Sequence, residues 1–161
     1  QTLQNFAAQI EQLGLTDDVP QSQMMATLFF NNITASLLSM LYGLIPFLPL
    51  SALALGTNAL MLGAFAAIYQ QQGIGLGVYV LGVLPHGIFE LPALFMAMAG
   101  GLYLCRTLVR YVRRNEKGLL GPVVLNLLRL LVMHIVPLLL AAAAVEAYVT
   151  PVVMEALARL I

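Results

Sequence analysis

The chain is 161 residues long, with 61% apolar residues, only 9% charged residues and a formal net charge of zero. Soluble domains carry about 25% charged residues, so this chain has too few polar groups to cover a globular surface in water, and its neutrality argues against a nucleic-acid partner. The mean hydropathy is +0.93, and from residue 19 to residue 89 there is no Asp, Glu, Lys or Arg.

One bilayer crossing needs about 20 apolar residues, so that uncharged run alone holds more than one. The fold class predicted is all-α: a polytopic transmembrane helical bundle with about five membrane segments. Residues 1–23 read as an amphipathic N-terminal segment, because Leu3, Phe6, Ala7, Ile10 and Leu13 share a helical face. That segment carries no basic n-region of a signal peptide. The transmembrane domain is expected over 24–149. Its first crossing spans 24–45, ended by "PFLPLS", and its second spans 53–69, followed by the polar, glycine-rich "QQQGIGLG".

The apolar stretch up to Leu84 is too short to cross upright, and Pro85, Gly87 and Pro92 follow it. Apolar segments interrupted by Pro and Gly read as broken or re-entrant helices, so a break is expected around 85–92, before a crossing that ends at Cys105. Arg106, Arg110, Arg113, Arg114 and Lys117 then hold five of the seven basic residues, and such clusters stay cytoplasmic. Residues 118–129 read as an interfacial segment and 130–149 as the last crossing, followed by an amphipathic tail over 150–161. The lone Cys105 excludes an intrachain disulfide.

Ionisable groups inside a membrane cost on the order of 2.5–3.5 kcal/mol even on mild scales and mark functional candidates. His86 and Glu90 are four positions apart and share a face if that segment is helical. Glu90 stands 16 positions from Arg106, and Glu146 stands 16 from Leu130, so both lie roughly 24 Å from the inner side. His86, Glu90 and Glu146 therefore converge in depth toward the outer leaflet. His134, about 18 Å from Glu146 along its helix, does not join them and reads as a packed polar residue. One histidine with two carboxylates suits a divalent metal such as zinc or a proton-sharing acid pair; it equally suits side chains that satisfy backbone groups freed by the prolines. Asn31, Asn32 and Asn58 read as interhelical hydrogen-bond partners.

"PHGIFELPA" (85–93) resembles the signature of the stage II sporulation protein M family of integral membrane proteins. "FFNNI" (29–33) is similar to the family's first-helix motif, "NALMLGAF" (58–65) to its second-helix motif and "VEAYVTP" (145–151) to its acidic motif near the C-terminus. The motifs come in the family's order and carry Asn31, Asn32, Asn58, His86, Gly87, Glu90, Pro92, Glu146, Thr150 and Pro151. The resemblance implies a multi-pass helical protein of the prokaryotic plasma membrane. In spore formers the founding member is a scaffold that gathers two cell-wall-cutting partners, stage II sporulation proteins D and P, during engulfment.

Three functions compete on these residues. A scaffold or anchor recruits partners through its helices and binds no ion; its glycine- and alanine-rich helices suit a homodimer. A membrane-embedded metal-dependent hydrolase, similar to the CAAX-type proteases, would use His86, Glu90 and Glu146 as ligands and would need an open coordination position. A transporter of protons or small solutes would use a broken helix with intramembrane acids. The scaffold is the reading the sequence favours.

Overall fold

A computed structural model describes residues 20–158 except 49, 72, 74, 75 and 115–117. The amphipathic segment expected over 1–23 therefore lies almost wholly outside the described residues. The described chain forms helices α1 (Gln21–Leu41), α2 (Ser51–Gln71), α3 (Leu76–Arg114), α4 (Leu120–Leu130), α5 (Val136–Tyr148) and α6 (Thr150–Ala158). A 3₁₀ turn, Tyr42–Leu44, extends α1, and a π turn, Leu131–Ile135, joins α4 to α5 without interrupting the rod.

Among the described residues four stretches are long and apolar enough to cross a membrane: Gln21–Leu44, Ser51–Gln71, Leu76–Arg114 and Leu120–Tyr148. The all-α polytopic bundle stands, with four such stretches among the described residues in place of about five. The difference lies at Pro85 and Pro92, both of which sit inside the continuous helix α3. A proline removes one N–H and crowds the carbonyl four residues back. Membrane helices tolerate this where neighbouring helices and side chains re-satisfy the freed group, so the expected break is absent and two half-segments merge. The expected interfacial segment over 118–129 is likewise the first part of the last crossing.

Polar side chains within the spans satisfy themselves locally. Thr27 Oγ1 donates to the Gln23 carbonyl at 2.9 Å, and Thr34 Oγ1 to the Phe30 carbonyl at 2.7 Å. These bonds to the preceding turn let hydroxyls stand in an apolar setting without an orphaned donor.

Helices α1 and α3 run parallel in a fixed register. Asn32 meets Glu90, and Gly43 meets Gly101; the offset in residue number is the same for both pairs. At the glycine contact a Cβ on Gly43 would overlap the Gly101 carbonyl oxygen, and a Cβ on Gly101 would overlap Ser51 Oγ. Only glycine fits where three segments converge this tightly. Helix α2 returns alongside α3, tied to its start by Tyr79, whose hydroxyl donates to the Leu62 carbonyl at 2.8 Å. The core, filled by Ala93, Ala97, Leu104, Leu127, Ile135 and Leu139 among others, lies where α3 packs against α4 and α5. Its alanines let those backbones approach closely.

The α1–α2 turn sits at the level of Cys105, whose Sγ–H donates to the carbonyls of Ile45 at 3.5 Å and Leu48 at 3.8 Å. The arginines of α3 begin one residue beyond that level. The starts of α1 and α3 and the end of α5 thus share the opposite end of the bundle.

Candidate functional site

Three helices deliver the polar side chains to one place near that opposite end. Helix α1 supplies Asn32, α3 supplies His86 and Glu90 one turn apart, and α5 supplies Glu146 just before its last residue, Tyr148. Ala142 and Ala143, each 1% exposed, form the α5 wall, and Leu28 of α1 closes the lining of a cavity of about 200 Å³. The small alanines are what leave room for polar groups between helices that otherwise pack on small side chains.

His86 Nδ1 lies 2.5 Å from Glu146 Oε2, and the two side chains retain 21% and 27% of their exposure. The approach is close but off the line of a hydrogen bond, since Nδ1 has no well-aligned partner. A histidine and a carboxylate this near can pair as imidazolium with carboxylate, and a pair with no net charge costs less at membrane depth than either ion alone.

Thr150 extends the pair. Its Oγ1 donates to Glu146 Oε2 at 2.8 Å and lies 3.5 Å from the Val145 carbonyl. Thr150 opens α6, with Pro151 following in the first turn, where a missing N–H costs nothing. On the other side of the cavity Glu90 is hydrogen-bonded to the Asn32 side chain. The result is two linked units, Thr150–Glu146–His86 and Glu90–Asn32, stapling α1, α3, α5 and α6.

The sequence motifs divide when placed. Asn32, His86, Glu90, Glu146 and Thr150 come together; Gly87 is buried in α3 beside them. Asn31 is exposed on the far side of α1, and Pro92 and Pro151 are exposed on their helices. Asn58 lies elsewhere, lining a cavity of about 450 Å³ between α1 and α2 with Ser39, Tyr42 and Thr57. His134, expected to be packed, is exposed in the π turn, where a wide turn shifts side chains off the face they would otherwise keep. Among the described residues no group of three or more His, Cys, Asp or Glu side chains is placed to hold a metal ion. Leu28 was not singled out by sequence, because nothing distinguishes it from other apolar residues.

The family described as Stage II sporulation protein M matches residues 1–151. A protein of Methanocaldococcus jannaschii described as uncharacterized is 27% identical over 150 residues, which cover 91% of this chain and 65% of that protein. The chain thus spans a little under two thirds of that relative's length. No solved structure matches it.

Proposed function

This chain belongs to the stage II sporulation protein M family, and from that premise we propose that it is a scaffold in the plasma membrane of a prokaryote, recruiting a cell-wall-remodelling partner by a transmembrane helix of that partner. The carrying observation is the outer face of α2. Ala52, Gly56, Ala59, Gly63 and Ala67 recur at helical spacing on one face and are all exposed, and a Cβ on Gly56 or Gly63 would meet nothing within 4 Å. Small residues at this spacing let a second helix approach closely, and close packing rather than apolarity drives helix association in lipid.

The polar site supports this reading as the rigid half of the device. It joins α1, α3, α5 and α6, whereas α2 packs chiefly on α3 and leaves its small-residue face free. The arginine-rich end of α3 faces the cytoplasm under the positive-inside rule, which sets the polar site toward the outer face, the side of the cell wall.

A photo-reactive benzophenone side chain at Ala59, in cells of the source organism, tests the proposal. The expected product is a crosslink to a cell-wall-cutting membrane enzyme, absent from the same probe at Leu125 on exposed α4 and abolished by Gly63→Leu. A crosslink confined to a second copy of the chain, or to lipid, would overturn the partner assignment.

A further inference from the structure

Arg106, Arg110, Arg113 and Arg114 fall at i, i+4, i+7 and i+8 of α3, within an arc of about 100°. With Val109 they surround an open hollow of about 350 Å³ on one face of α3. Like charges at such spacings oppose one another on a helix. The macrodipole at a helix C-terminus accounts for basic residues in the last turn, and thus for Arg113 and Arg114. It does not reach Arg106, two turns earlier.

No carboxylate balances them among the described residues, where the acid–base contact recorded is that of His86 with Glu146 at the other end. One of the four is also held in place: the Arg113 guanidinium stacks 5.2 Å from the centre of the Phe47 ring, an attraction that orients a cation without neutralising it. Arg110 Nε is buried without a hydrogen-bond partner. Phe47 belongs to the α1–α2 turn, which Cys105 fixes at the level where the apolar bundle ends. The arginines begin at that level, which is headgroup depth.

We propose that this cleft binds a phosphate group, with Arg106 and Arg110 as the principal donors. Guanidinium forks match phosphate oxygens in pairs. The inner leaflet places anionic phospholipid headgroups at this depth, and a free phosphate in the cytoplasm offers the same chemistry.

The test is native mass spectrometry of the full chain in detergent, titrated separately with phosphatidylglycerol and with phosphatidylcholine, whose choline masks its phosphate, and then with inorganic phosphate as competitor. The chain is expected to retain one phosphatidylglycerol with at least about tenfold preference over phosphatidylcholine. Arg106→Gln with Arg110→Gln should lose that preference, while Arg129→Gln, outside the cleft, should keep it. Displacement of the lipid by millimolar inorganic phosphate would assign the site to a free phosphate; resistance would assign it to the headgroup. A preference that survives in the double variant, or that falls equally in Arg129→Gln, would overturn the site in favour of diffuse surface charge. Should the glutamine variant fail to fold, Arg106→Lys with Arg110→Lys retains charge without the fork, and an unchanged preference there would equally overturn it.

Discussion

His86 of α3 and Glu146 of α5 belong to helices distant in sequence, yet Nδ1 of one stands 2.5 Å from Oε2 of the other. Neither is fully buried, but each is the other's close charge partner at a depth where an unpaired charge is costly. Removing one partner strands the other. His86→Ala and Glu146→Gln should therefore each destabilise the detergent-solubilised chain, and the double variant should be less destabilised than their sum. A coupling energy of about 1–3 kcal/mol is expected from the double-mutant cycle, read from thermal or denaturant unfolding; strict additivity would mean the contact contributes nothing.

Thr150 is the third member of that chain and opens α6. Thr150→Val keeps shape and loses the donor to Glu146 Oε2, with an expected loss of about 1–2 kcal/mol. Thr150→Ser should retain most of the stability. If serine and valine behave alike, the hydroxyl is not what links α6 to the site.

The glycine junction allows a sharper contrast. Gly43→Ala drives a Cβ into the Gly101 carbonyl oxygen, a backbone clash that no rotamer relieves, and should cost about 3 kcal/mol or more. Gly56→Ala meets nothing within 4 Å and replaces a poor helix former by the best, a gain of up to about 1 kcal/mol. Melting temperatures of the two variants should move in opposite directions.

Four crossings place both ends of the described chain on one side. A cysteine introduced by Ser22→Cys or Tyr148→Cys should react with a membrane-impermeant maleimide in intact cells. Val112→Cys, at the arginine end of α3, should react only after lysis. The native Cys105 is buried and gives a low background. Labelling of all three positions from outside would refute the orientation.

Much of this was legible from residue types. The charge-free run announced a membrane protein, and the fixed rise per residue of a helix was enough to bring His86, Glu90 and Glu146 to one depth before any contact was visible. Rotation was not legible: Asn31 and Asn32 are adjacent, and the polar residues of α1 are scattered around the helix, so no single polar face says which of them turns inward. Nor was the continuity of α3, since the cost of Pro85 and Pro92 depends on neighbours rather than on the prolines themselves. The Gly43–Gly101 contact joins two helices whose pairing no local pattern encodes. His134 was misplaced because a π turn shifts the phase of the helix, and a uniformly apolar stretch carries no mark of such a turn.

The constant offset between α1 and α3 has a mechanical meaning. The Asn32–Glu90 and Gly43–Gly101 contacts are separated by about 16 Å along the shared axis, so one contact toward each end of the bundle gauges the same alignment. A slip of a single residue would drive the glycine backbones into side chains at one end and draw amide from carboxylate at the other. The two helices are thereby barred from sliding past one another as a piston does, and a signal carried between the two membrane faces through this pair would have to travel as a tilt or a twist.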